Sequence, residues 1–434
     1  MWRYRCKSQL ITLAVAFLAG LIMGAVALNN PDMMSLVQET VPEALSVIQN
    51  QPWLVILSSG IVSAGVINIF LLAQLASVRF GLSQLFVLLI VLMLPEWLLP
   101  LGVFALPVTI VISIWGIWSL HAEKSGAMNR KNIRNVQELI RIYTLHHKLD
   151  ESYKEMALNA RRNIRKASTA YALGIVAIFC VILLVDNLMV GLLVVFVYMM
   201  AFNYLSRYRS SCFMPIFNLL YQDCNPEACM SALIYFGTHG DKVKLANPAL
   251  MAECMIYLDD PSLAQDFLVF MIRSTPDRVI HYWSLMATTY YMLSDESGLR
   301  HCQEMVEAVK PGFGQVGIMM KNQDLADIEN KLNLMKGDFN TCKSYYLDIL
   351  KKGPQPLIQA QCDYYIALIS FVQEDYSLAD LYFRKVLNIG GKAYFTGKAA
   401  AYLEKIDGMN INTERELSYT PASYERSREG QDNQ

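Results

Sequence analysis

The pattern of apolar and polar positions changes once along the chain. As far as about residue 206 it consists of long apolar runs; beyond that, apolar residues recur at helical spacing among polar ones. Residues 9–28 (QLITLAVAFLAGLIMGAVAL) form the first run, preceded by Arg3, Arg5 and Lys7. At about 1.5 Å per residue it crosses a hydrocarbon core of roughly 30 Å. Ala25-Val26-Ala27 would serve as the cleavage site of a secretory signal, but the run is longer than a usual signal core and further runs follow, so it reads as a span. The second run, 53–75, ends near Arg79. The segment between them, 29–52, holds Asp32, Glu39 and Glu43 but no Lys or Arg, which places it outside.

The stretch 82–119 is too long for one crossing and is interrupted by Pro95-Glu96-Trp97 and Pro100. Basic residues flank both of its ends, so it must cross an even number of times. A hairpin is expected, with arms 82–99 and 101–119 and Glu96 near the outer tip. Its first arm is short enough that it must tilt, borrow from the turn or re-enter. The stretch 169–206 repeats the arrangement, with its apex at Asp186-Asn187. Six spans follow, as one pair plus two hairpins, in a multi-pass plasma-membrane protein with both termini cytoplasmic. Between the hairpins, residues 121–168 carry 11 Lys/Arg against 5 Asp/Glu, the excess expected of a cytoplasmic segment. Its helical phase (Val136, Ile140, Tyr143, then Tyr153, Met156, Ala160) shifts near His146-His147, predicting two helices or a kink.

Chemistry at membrane depth needs polar groups, and few are present. Glu96 and Asp186 are the only acidic residues in the apolar stretches, at expected turns, and no histidine lies in a span. Ser58, Ser59, Ser63, Asn68 and Gln74 cluster on the second run. They leave open a transporter or channel component with a regulatory cytoplasmic half, or, less well supported, a membrane-embedded enzyme. Gly20-x-x-x-Gly24 and Gly60-x-x-x-Ala64 would let two helices approach closely.

From about residue 212 the pattern is amphipathic and helical. Its clearest unit is Tyr364 to Gly391, YYIALISFVQEDYSLADLYFRKVLNIGG, with small Ala367 and Ala379 at a helix crossing. Asp375-Tyr376 forms the turn, Phe383 fills the core and Val386-Leu387 close it. Weaker copies are MAECMIYLDDPSLAQDFLVFMIRSTP from Met251, WSLMATTYYMLSDESGLRHCQEMVEAVKP from Trp283, and second helices around Gly337-Asp338-Phe339 and Asn225-Pro226-Glu227-Ala228. The crossing residues Ala228, Ala264, Leu299, Cys342 and Ala379 are separated by 36, 35, 43 and 37. This resembles the tetratricopeptide (TPR) repeat, a helix–turn–helix of about 34 residues. The resemblance implies an α-solenoid over 207–405 whose first helices line a concave groove. By that geometry Glu253, Tyr257, Thr288, Tyr291, Tyr364 and Leu368 are the candidate partner-binding positions. The region is rich in tyrosine, an interface anchor, although inter-helix core is the commoner place for any one of them.

Other patterns are set aside. Gly312-x-Gly314-x-x-Gly317 matches a dinucleotide fingerprint but follows a helical segment rather than a strand. His146 and His147 are adjacent and diverge on a helix. Residues 406–434 are polar and read as a disordered tail. Of the 434 residues 54% are hydrophobic and 17% charged, against roughly 25% charged in soluble domains. The net charge of -1 offers nothing to nucleic acid, and nine cysteines without a CxxC read as reduced, mostly buried thiols.

The expectation is therefore an all-α chain: a membrane region to 120, a basic helical segment 121–168, a transmembrane hairpin 169–206, a TPR-like solenoid 207–405 and a tail. It is non-enzymatic, with no catalytic, cofactor or metal set. Its partners are the lipid bilayer and a cytoplasmic protein or peptide, with homo-oligomerisation open. The role expected is a membrane-tethered adaptor.

Overall fold

The computed structural model describes residues 2–29, 51–80, 95–130, 135–184, 188–240, 242–310 and 315–409. Among these the chain is all-helical apart from one two-stranded ribbon, with sixteen α-helices. Residues 82–94, the apex at Asp186-Asn187, the 312–314 part of the glycine motif and the tail from 410 lie outside the described residues, as do the side chains of Gln74 and Glu96.

The chain divides into two units. One comprises residues 1–130, 272–282 and 305–324; the other takes the remainder. The first is built on α1 (Trp2–Asn29), α2 (Pro52–Phe80) and α3 (Pro95–Arg130). Trp2–Asn29, Pro52–Leu72 and Pro100–Asn129 are each long and apolar enough to cross a membrane. Val15, Leu18, Phe104 and Trp118 all point outward, and Phe104 is 81% exposed. So many outward apolar side chains point to a membrane protein, because water would penalise them and lipid does not.

Small residues set the packing of these helices. A β-carbon on Gly20 would lie 2.6 Å from the Ser59 carbonyl, and one on Gly102 2.4 Å from the Gly65 carbonyl. Only glycine allows backbones to come so close. Ser59 donates to the Gly20 carbonyl (2.8 Å) and the fully buried Asn68 amide donates to the Gly102 carbonyl (2.8 Å). Ser58 bonds within its own helix, to the Val55 carbonyl (2.9 Å).

A single helix runs from Pro95 to Arg130 through Pro100 and Pro107, so among the described residues the chain does not turn within Pro95–Pro100, where the hairpin was expected to. Pro95 opens the helix, where the missing N–H has no bond to lose. The expected boundaries at 120/121, 168/169 and 206/207 likewise fall inside continuous helices, α3, α5 (Lys154–Leu184) and α6 (Leu188–Tyr221).

The second unit begins with α4 (Val136–His146), which ends where the helical phase shifts. After α5 and α6 come α7 (Pro226–Gly237), the ribbon Thr238–His239 with Lys242–Val243, α8 (Pro248–Tyr257) and α9 (Pro261–Leu268). Helices α10 (Pro276–Met292), α11 (Glu296–Ala308) and α12 (Gln315–Lys336) each have residues in both units, while α13 (Phe339–Leu350), α14 (Pro356–Val372), α15 (Tyr376–Ile389) and α16 (Tyr394–Gly408) belong to the second.

One turn recurs five times. Cys224, Asp259, Ser294, Gly337 and Glu374 all adopt positive φ, between 48° and 81°. Each is followed by an Asx residue whose side chain accepts from the backbone N–H three residues on: Asn225 from Ala228, Asp260 from Leu263, Asp295 from Gly298, Asp338 from Thr341 and Asp375 from Leu378. The left-handed residue ends one helix and the Asx cap starts the next. The crossing residues Ala228, Ala264, Leu299, Cys342 and Ala379 are all buried just inside those second helices. The longest interval, 43, spans α12, which at 22 residues exceeds the 17 of α10 and α14. Phe383 and Val386 are fully buried as expected, but Leu387 is turned outward.

Candidate binding cavity

Consecutive tyrosines on α14 organise the last helix pairs. Tyr365 stacks on Tyr346 with ring centroids 5.1 Å apart and meets the Tyr291 ring at 6.3 Å. Tyr364 turns to the other side, 6.0 Å from Phe395 and 6.3 Å from Tyr394. Between these rings lies a cavity of about 340 Å³. Its walls are Tyr291 and Met292 at the end of α10, Leu334 and Met335 on α12, Tyr364, Tyr365 and Leu368 on α14, and Tyr394 on α16. Asp259 and Lys398 also line it and form an ion pair of 2.8 Å. Asp259 reaches this place as the left-handed residue before the α9 cap, and the Lys398 ammonium lies 4.6 Å from the Tyr394 ring.

Of the six groove positions expected from sequence, Tyr291, Tyr364 and Leu368 come together in this cavity. Glu253 and Tyr257 do not line it. Both are buried on α8, where Glu253 accepts from the Tyr221 hydroxyl and Tyr257 donates to the Gln361 side-chain carbonyl at 3.0 Å. Thr288 bonds the Ser284 carbonyl one turn earlier (3.1 Å) and stands apart as well.

No family model, curated protein or solved structure matches this chain. The chemistry of the cavity must therefore be read from its own residues. Burial pushes the Tyr291 and Tyr394 hydroxyls up to about 12, and holds those of Tyr364 and Tyr365 above the ordinary tyrosine range. All four stay neutral at physiological pH. They offer aromatic faces and hydrogen bonds, not a base. Burial likewise pushes the thiols of Cys302 and Cys362 up to about 12 and those of Cys224 and Cys342 up to about 11. These are unreactive core groups rather than nucleophiles. Among the described residues no three His, Cys, Asp or Glu side chains come together as a metal site.

Tyr365, Tyr394, Asp259 and Lys398 are members of the cavity that the sequence left unassigned. Tyr394 and Lys398 belong to α16, beyond the last repeat-like unit expected from sequence, although their i, i+4 spacing puts them on one face. Asp259 carried only a turn signal, and nothing in sequence brings it to a residue 139 positions away.

Proposed function

We propose that the protein is a non-enzymatic, membrane-tethered adaptor of the plasma membrane. It recruits a protein or peptide to the cytoplasmic face through a TPR-like helical array, with both termini cytoplasmic. The observation that carries this reading is the tyrosine-lined cavity at the last helix pairs of a chain that also holds three membrane-length helices. Its volume lies at the low end of ligand pockets, about 300–1,000 Å³, so it suits one bulky anchor side chain of a partner rather than a broad surface. Tyrosine faces bind such an anchor at low entropic cost, and the hydroxyls serve the backbone beside it. The polar residues of the second run support an adaptor over a transporter, since Ser59 and Asn68 are spent on helix packing.

Leu368→Trp fills the cavity from within. In affinity capture from native membranes, full-length wild-type protein is expected to retain a partner that Leu368→Trp and Tyr291→Ala both lose. Identical partner sets for all three proteins would overturn the reading.

A further inference from the structure

At one end of the first unit, positive charge is gathered around a single carboxylate. Arg3 bonds Glu123 at 2.8 Å and Ser119 at 3.1 Å, and Arg273 bonds the other Glu123 oxygen at 3.1 Å. Arg273 also donates to the Tyr4 hydroxyl at 3.0 Å and stacks 4.5 Å from the Tyr282 ring. Arg5 donates to the Ser274 carbonyl at 3.0 Å. Lys124 stands 5.8 Å over the Tyr4 ring, with no carboxylate bonded to its ammonium among the described residues. Among the described residues Glu123 is thus the one carboxylate bonded within the set Arg3, Arg5, Lys124 and Arg273, while Arg278 and Asp277 on the same segment offset each other in charge.

The depth of this cluster is set by the helices that carry it. Arg3 precedes the apolar run of α1 by about 9 Å, and Lys124 follows that of α3 by about 7 Å, at about 1.5 Å per residue. Headgroups occupy roughly the 5–7 Å beyond the hydrocarbon on each side. The backbone of Arg3 and Lys124 therefore stands at the outer edge of the headgroup layer, from which their long side chains reach lipid phosphates.

We propose that Lys124, with Arg3 and Arg273 beside it, binds the phosphate of an anionic phospholipid headgroup of the phosphatidylglycerol kind. Lys124 supplies the unpaired charge, and the two arginines, fixed by Glu123, Ser119 and Tyr4, form the wall. Through Arg273 and Ser274 the bound lipid fastens residues 272–282 to the ends of α1 and α3. The site rests on the membrane-length helices and not on the adaptor reading.

The test uses full-length protein in nanodiscs of phosphatidylcholine and phosphatidylglycerol, roughly 4:1, with retained lipid counted by native mass spectrometry. Wild type is expected to retain phosphatidylglycerol preferentially. Lys124→Gln should lower that retention about fivefold, the loss of one charge near the surface, while Lys124→Arg keeps it. Arg209→Gln removes a basic residue outside the cluster and should change it less than about twofold. Equal loss in Lys124→Gln and Arg209→Gln, or no loss in either, would overturn the site. Displacement of the lipid by millimolar glycerol phosphate would overturn its assignment to a lipid.

Discussion

Glu374 sits at φ 63° with a β-carbon that the left-handed region disfavours, whereas Gly337 takes the equivalent place in another turn without one. Opposite outcomes are expected from exchanging these side chains. Glu374→Gly should raise stability by up to about 1 kcal/mol, and Gly337→Ala should lower it by about as much. Thermal unfolding of the full chain in detergent separates the two, and a fall in both would contradict the turn assignment. Asp363 presents a different residue-level problem. It is buried, its Oδ2 has no hydrogen-bond partner, and burial raises its carboxyl to about 6 against the opposing pull of Lys385. Unfolded, the group titrates near 3.9. Below about pH 4 it is protonated in both states and costs nothing. Between about pH 4 and 6 the unfolded state releases this proton while the native state keeps it, so stability falls across that window and levels off once both states are ionised above about 6. Wild type should lose on the order of 2 kcal/mol relative to Asp363→Asn between pH 4.5 and about 7.5, all other groups titrating alike in the two proteins. Parallel pH profiles for the two proteins would contradict this.

At the scale of elements, close backbone approach holds α2 to α3. Gly102→Ala puts a methyl group against the Gly65 carbonyl and should cost about 1–3 kcal/mol, because neither backbone can yield. Gly126→Ala in the same helix meets nothing within 4 Å and should be neutral or slightly stabilising. Denaturation in mixed micelles reads the difference. Much at this scale was legible in the sequence. The Gly20-x-x-x-Gly24 spacing identified a close helix contact, and the small residues Ala228, Ala264 and Ala379, singled out by their spacing, are all buried. The continuity of α3 was not legible. Proline signals a turn by its missing N–H, yet α3 runs on through Pro100 and Pro107. The ribbon at Thr238–His239 was equally hidden, being two residues wide on each side. The cavity was half legible. Tyr291, Tyr364 and Leu368 were expected from the resemblance to a repeat, but Asp259, Tyr394 and Lys398 meet through packing of distant helices, which no local pattern encodes.

For the whole molecule, the proposed topology follows the distribution of Lys and Arg and puts both ends of the chain on the same, cytoplasmic side. Epitope tags at the two termini should both be protected from membrane-impermeant reagents in intact cells and both become accessible on permeabilisation. One protected and one exposed tag would require an odd number of crossings. The adaptor proposal joins that topology to the tyrosine cavity, and its most direct test is photocrosslinking from inside the cavity. A benzophenone amino acid placed at Met335, which lines it, is compared in native membranes with the same group at Val372, exposed on the same unit. The account predicts a discrete protein adduct from position 335 that is absent from position 372 and is abolished when Leu368→Trp is added. Adducts that are the same from both positions, or that survive Leu368→Trp, would contradict it.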